Sequence, residues 1–202
     1  MIKPLLRRGL VIGCAALTWP AWWPVLFLRR ISPAKSDDAF RAGSEAVGLI
    51  PGVLGMYLRR GYYLMTLPKF SADCQIAFGT VFSQSDVRIG REVVIGRYCT
   101  IGRAELLDGT ALGSNVDILS GRRQHATSGD SPVQYRAGTY ERMRIGPGAW
   151  LGNSCVIMSH VGEEAVVGAA AVVVKEVPPG TVAVGNPARV VKQKSEPKLR
   201  VA

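Results

Sequence analysis

The stretch VRIGREVVIGRYCTIG, residues 87–102, places an isoleucine–glycine pair at 89–90, 95–96 and 101–102. A period of six is neither the 3.6 of a helix nor the alternation of a flat strand. The same spacing returns in Ile145-Gly146, Leu151-Gly152 and Ile157, and again in Val161-Gly162, Val167-Gly168 and Val173. A fixed short repeat specifies an architecture before it specifies anything else. Each unit reads as one short strand and a turn, with the aliphatic residue inward and the small residue where the chain bends. Three units close a triangular coil, and stacked coils bury a continuous aliphatic column. The expectation is an all-β solenoid beginning near Ile76, inside a domain at 71–191. Spacings of five from Leu107 to Leu112 and of four from Ile157 to Val161 predict register slips at those places.

At 202 residues the chain has room for one ordinary domain and a smaller appendage. With 48% hydrophobic and 20% charged residues, it lies far from the composition of disordered chains. The net charge of +10 is unevenly spread. Residues 1–70 hold ten basic against three acidic residues, 71–190 hold eleven of each, and 191–202 hold four against one. A nucleic-acid binder carries its basic stripe on the folded module, so a balanced centre with basic ends argues against nucleic acid and for an anionic membrane surface. Cys14, Cys74, Cys99 and Cys155 form no CxxC pair and read as buried thiols of a reducing compartment.

Residues 9–28 contain no charge and are bounded by Arg7-Arg8 and Arg29-Arg30. Twenty apolar residues match the thickness of a hydrocarbon core, but Pro20 and Pro24 are expected to break the helix in its second half. Trp19, Trp22 and Trp23 lie mid-run, where interfacial residues do not suit a simple span. A re-entrant or interfacial hairpin is therefore expected, making 1–70 a helical, membrane-associated segment. A further helix is predicted from Ser36 to the Pro51-Gly52 stop. The stretch 53–65, with Tyr57, Tyr62 and Tyr63 beside Arg59-Arg60, suits either the headgroup zone or packing on the next domain.

The repeats, followed by WLGNSCVIM (150–158) and by VVGAAAVVVKEVPPGTVAVGNPARVV (166–191), resemble the hexapeptide-repeat acyltransferases, whose units wind as a left-handed parallel β-helix. The upstream GLIPGVLGMYLRRGYYLMTL (48–67) resembles a subgroup associated with polysaccharide and surface-glycan synthesis. Ala169-Ala170-Ala171 departs from the Gly-Ala-Gly-Ser type of run common in the family, although alanine leaves the backbone approachable.

The period stops between Ile118 and Ile145, with an excursion at 121–142 that contains His125. A long departure from a regular solenoid is where function concentrates. The resemblance implies that His125 deprotonates an acceptor hydroxyl, a task for a base with a near-neutral pKa. Asp117 is the favoured orienting partner, with Glu141 a second candidate, and a backbone N–H around Gly152 would hold the oxyanion. The resemblance further implies acetyl-CoA as donor, its pantetheine arm along Gly152 and Ala170, its phosphates near Lys175 and Arg189, and Trp150 walling the acyl pocket or bracing the coil. Arg122 and Arg123 could meet an anionic or sugar-linked acceptor. His160 is expected to be structural. Three-histidine zinc chemistry on this fold is argued against by a total of two histidines, thirty-five residues apart.

The resulting expectation is a homotrimeric O-acetyltransferase at the cytoplasmic face of the inner (plasma) membrane, acting without metal on a sugar hydroxyl of a polysaccharide or lipid-linked glycan precursor. Residues 192–202 are expected to be a basic tail. The rival readings are a non-catalytic scaffold of a membrane polysaccharide-synthesis complex and a soluble small-molecule acetyltransferase.

Overall fold

The computed structural model describes residues 4–122, 124, 132 and 138–193. Four helices, α1 (Pro4–Leu17), α2 (Trp19–Ile31), α3 (Pro33–Gly48) and α4 (Gly52–Thr66), precede a parallel β-solenoid of five full coils and a partial sixth. Its strands are two to five residues long and sort into three faces. Face A stacks β1 (Lys69–Phe70), β4 (Arg88–Ile89), β7 (Ala104–Leu106) and β10 (Met143–Ile145), extended by bridges at Val161 and Val177. Face B stacks β2 (Gln75–Ile76), β5 (Val94–Ile95), β8 (Ala111–Leu112), β11 (Trp150–Leu151), β13 (Val166–Val167) and β15 (Thr181–Val184). Antiparallel β16 (Arg189–Gln193) closes its C-terminal edge. Face C stacks β3 (Val81–Phe82), β6 (Thr100–Ile101), β9 (Asp117–Ile118), β12 (Val156–Ile157) and β14 (Val172–Val173).

The six-residue step governs two of the three corners. Ile89, Ile95 and Ile101 step by six from face A through B to C, as do Leu106, Leu112 and Ile118, and Ile145, Leu151 and Ile157, all of them buried. Every departure falls at the C-to-A corner. The step there is seven from Phe82 to Ile89, five from Ile101 to Leu106, four from Ile157 to Val161 and four from Val173 to Val177. The slip expected after Leu107 therefore sits one step earlier. Leu106 is the inward residue and Leu107 is only half-buried, so the span to Leu112 keeps the period.

Two positions before most of the inward aliphatics lies another buried residue, Val93, Cys99, Thr110, Val116 and Cys155 among them. Three of the four cysteines take this place, and all four are buried free thiols. The glycines after the aliphatic residue allow the coils to stack: a Cβ on Gly96 would lie 2.2 Å from the carbonyl oxygen of Gly113. The B-to-C turns each end in the left-handed region, at Gly79, Tyr98, Asn115, Ser154 and Ala170.

Helices α3 and α4 plug the first coil. Tyr62 and Tyr63 are fully buried, Tyr63 with its ring 4.4 Å from that of Phe82, so the packing reading of 53–65 holds for them. Ser44 Oγ and Tyr63 Oη share a 2.7 Å hydrogen bond, and Ser44 Oγ also accepts from the Phe82 amide. Arg59, 1% exposed, donates to the carbonyls of Ile76, Val47, Gly48 and Ile50. It ties the C-terminus of α3 to the solenoid, and burial pulls its pKa down.

The apolar run of 9–28 is cut at Thr18, before Pro20, and α1 and α2 meet at a 76° bend. Pro20 lies in the first turn of α2, where no backbone donor is needed, and Pro24 stays inside the helix instead of breaking it. Thr18 Oγ1 and Trp22 Nε1 satisfy the last carbonyls of α1 at Cys14 and Ala15. The close crossing of α1 on α4 occurs at Gly61, where a Cβ would lie 2.5 Å from the Ala15 nitrogen. Helix α3 starts at Pro33 rather than Ser36, because proline is preorganised for the first helical position. Among the described residues no single helix is long and apolar enough to cross a membrane, although α1 from Gly9 and α2 together have the required length and composition.

Candidate functional site

The C-to-A corner gathers the irregular segments of successive coils into one column. Asp86, between coils one and two, accepts at Oδ2 from Arg103 Nε at 2.6 Å and from Arg142 Nη2 at 2.7 Å. Arg103 lies between coils two and three, and Arg142 is on the return leg of the excursion. Arg103 also donates to the Tyr140 carbonyl at 3.0 Å, and its own amide is held by Ser120 Oγ at 2.8 Å. One carboxylate thus binds three levels of the corner, in charge-assisted hydrogen bonds of the stronger kind. On the other side Ser85 Oγ donates to Asp37 of α3, and Arg29 of α2 reaches the carbonyls of Thr66 and Ser85.

These groups line a polar cleft of about 290 Å³ formed by Asp37, Gln84, Ser85, Asp86, Arg103 and Tyr140. Asp86 Oδ1 and Arg142 Nε are buried without a hydrogen-bond partner among the described residues. The cleft lining combines carboxylates, at Asp37 and Asp86, with donor-bearing side chains, at Gln84, Ser85 and Arg103, beside the foot of the excursion. Sequence reading missed Asp86, Arg103 and Arg142, since none occupies a repeat position. The available signal was the seven-residue step after Phe82, which marks Ser83–Asp86 as a widened turn at the same corner as the excursion.

His125 and Arg123 lie outside the described residues. Arg122, at the start of the excursion, reaches along the corner to the Val174 carbonyl at 3.4 Å, beside Lys175. Asp117 begins the face C strand of the third coil, between Thr100 and Val156. Glu141 packs against Gly121, and its amide donates to the Ser120 carbonyl.

The residues expected to hold the donor divide between two corners. Gly152 and Ala170 occupy neighbouring levels of the B-to-C corner: a Cβ on Gly152 would lie 2.5 Å from the Ala169 nitrogen. Arg189 follows on β16 next to Ala188, whose amide donates to the Val172 carbonyl at 2.8 Å. Trp150 stands on the outer side of face B, 55% exposed and flanked by Ala111 and Val166, so it does not brace the interior of the coil. Lys175 is exposed on the C-to-A corner, with Arg122. The Gly152 N–H is already spent on the Val167 carbonyl at 2.8 Å. Ala170 holds φ of +58°, a conformation a β-carbon disfavours.

His160 is exposed at the four-residue C-to-A step. Its Nδ1 accepts from the Arg144 amide at 3.1 Å, and its carbonyl accepts from Val177. It lines a separate cleft of about 380 Å³ with Arg144, Pro147, Glu163 and Glu176. Among the described residues no cluster of His, Cys, Asp and Glu is arranged to hold a metal ion.

No family model matches the chain. A Staphylococcus aureus (strain COL) protein provisionally named an acetyltransferase is 42% identical over 53 residues, amounting to 25% of this chain and 27% of that protein. The chain thus spans about a quarter of the length of the curated relatives it matches. A maltose O-acetyltransferase from Clostridium difficile 630 superposes with a TM-score of 0.66 at 22% identity, over 79% of this chain and 89% of that one. A point mutant of AntD, an N-acyltransferase from Bacillus cereus in complex with dTDP-4-amino-4,6-dideoxyglucose and Coenzyme A, superposes with a TM-score of 0.54 at 16% identity, over 64% and 74% of the two chains. At such identities the likeness speaks for the fold. In repeat and in three-faced solenoid, the chain is similar to acyltransferases of the hexapeptide-repeat β-helix type.

Proposed function

We propose that this protein is an acetyl-CoA-dependent O-acetyltransferase that transfers the acetyl group to a sugar hydroxyl of a polysaccharide or lipid-linked glycan precursor, working as a homotrimer at the cytoplasmic face of a membrane. The observation that carries the reading is the single long excursion at a corner that otherwise varies by only a few residues. It is tied upward by Arg122 to Val174 and downward by Arg142 and Tyr140 to Asp86 and Arg103. A loop so anchored at its two feet suits the presentation of one side chain, and the one it carries is His125 in SGRRQHATSG. The likeness to a maltose O-acetyltransferase and to an N-acyltransferase holding Coenzyme A and a nucleotide sugar supports donor and acceptor class alike.

In this mechanism His125 takes the proton of the attacking hydroxyl as its oxygen bonds to the thioester carbonyl carbon. The tetrahedral intermediate collapses with cleavage of the carbon–sulfur bond, and the imidazolium returns the proton to the leaving thiolate. Asp117 orients the imidazole. Asp86, Arg103 and Arg142 act as positioning residues, and the polar cleft that Asp86 and Arg103 border suits a hydroxyl-rich acceptor. Gly152, Ala170 and Arg189 follow the donor along the B-to-C corner, with Trp150 outside it, while Lys175 stands apart on the C-to-A corner beside Arg122.

The test is acetyl-CoA turnover against neutral sugars, amino sugars and glycan fragments, followed by thiol release, with mass spectrometry of surface glycans from cells with and without the protein. The expected product is an acetyl ester removable by mild base. A base-stable amide would move the reaction to nitrogen. Absence of thiol release with every acceptor, together with unchanged glycans, would favour a scaffold.

A further inference from the structure

Helix α2 is divided lengthwise. Val25 is fully buried in the main core, and Arg29 is tied to Thr66 and Ser85, so the inner side cannot leave without opening the plug. The outer side carries Trp19, Trp23, Phe27 and Ile31 at a constant spacing of four, exposed by 56%, 50%, 49% and 63%. The rings of Trp23 and Phe27 stack at 5.1 Å and 8°, and Trp22, Trp23, Leu26 and Phe27 form an apolar cleft of about 250 Å³ with Arg30 in its lining. On α1, before the bend, Leu17 and Ile12 are exposed as well, by 70% and 64%.

Charge identifies the occupant. Residues 1–36 contain six Lys and Arg and no acid, the first carboxylate being Asp37. A stripe of Trp, Phe and Ile bordered by arginine matches an in-plane interfacial helix, with aromatic rings at headgroup depth and guanidinium groups on lipid phosphates. We infer that α2 docks flat on an anionic bilayer through this stripe, with Arg30 on a lipid phosphate, and that residues 9–31 neither cross the membrane nor straighten into a span. This rests on the membrane placement in the proposed function and replaces its unspecified anchor with one face of one helix. The 76° bend and the buried Val25 hold α2 against the solenoid while its outer stripe enters lipid.

The experiment is co-sedimentation of the full-length protein with vesicles of phosphatidylcholine alone or with 30% phosphatidylserine, alongside its oligomeric state in solution. Binding is expected to need phosphatidylserine and to weaken with salt. The paired substitution Trp23→Glu and Phe27→Glu should lower partitioning by about tenfold or more, and Arg30→Glu by about fivefold on anionic vesicles. Neither variant should alter circular dichroism or oligomeric state, because all three side chains face outward. Vesicle binding is read without activity, so its failure and a failure of catalysis are separate results. Unchanged binding by the paired variant would overturn the inference. So would a change in oligomeric state, which would assign the stripe to a second copy of the chain. Protease digestion of an N-terminal tag added on the far side of sealed vesicles would likewise overturn it, because it would demonstrate a span.

Discussion

Asp86 and Cys155 lie at opposite ends of the range of residue environments in this fold. Asp86 is partly exposed, and its value lies in geometry, because screening keeps such pairs from contributing much stability. Asp86→Ala should therefore leave the melting temperature nearly unchanged while freeing the return leg of the excursion. Hydrogen exchange at the Glu141 and Met143 amides, which bond to Ser120 and Arg103, should rise by about tenfold, while exchange at Val156 stays as it was. Equal exchange in both proteins would remove Asp86 from its positioning role. Cys155 is inert by contrast. Burial pushes its thiol pKa up to about 12 from 9.0, so the folded state keeps a proton that the unfolded chain loses. Its contribution to stability is complete below pH 9 and is lost as pH rises from 9 towards 12. Cys155→Ala should flatten the alkaline fall in melting temperature over that window, since the neighbouring coils already accept Val116 and Ala171 at this position. An identical alkaline slope would contradict the assignment.

At the scale of elements, coil stacking depends on residues without side chains. Gly96→Ala brings a Cβ to 2.2 Å from the Gly113 carbonyl, which only backbone movement can relieve, and should cost about 1–3 kcal/mol in chemical denaturation. Ala170→Gly relieves a left-handed alanine and should stabilise by up to about 1 kcal/mol. The pair is diagnostic because the same atoms are added at one corner position and removed at another. Coils and faces were legible in the sequence because the period of six is written in residue types, isoleucine or valine inward and glycine after it. The C-to-A corner was less legible. Its loop lengths change from coil to coil, and its contacts join residues 86, 103 and 142, whose shared location emerges only once the coils are stacked. Helix boundaries followed proline more closely than acidic first-turn signals: α3 begins at Pro33, while Pro24 is absorbed within α2. The residues proposed to hold the donor were named by resemblance, but their division between two corners could not be read from spacing.

For the molecule as a whole, the N-terminal helices both seal the first coil and meet the environment. Removing residues 1–17 takes away α1, which packs mainly on α4, and should leave a folded solenoid. Removing residues 1–35 also strips Val25 from the core and Arg29 from the carbonyls of Thr66 and of Ser85, a residue that lines the polar cleft. The shorter truncation is expected to keep its melting temperature within a few degrees, and the longer to lose substantially more. Equal stability of the two would show that α2 is no part of the plug. Because that plug and the excursion meet through Asp37, Ser85 and Asp86, a loss of α2 should also reach the site. The central claim is that the excursion performs acyl transfer through His125, and it is tested most directly by thiol release from acetyl-CoA in wild type, His125→Ala and His160→Ala, with folding verified in each. The account predicts a loss of roughly 10²–10⁴-fold in the first variant, the usual worth of a positioned base, and near-wild-type turnover in the second, whose imidazole accepts a hydrogen bond from the Arg144 backbone amide. Full activity without His125, or equal losses in two folded variants, would contradict it.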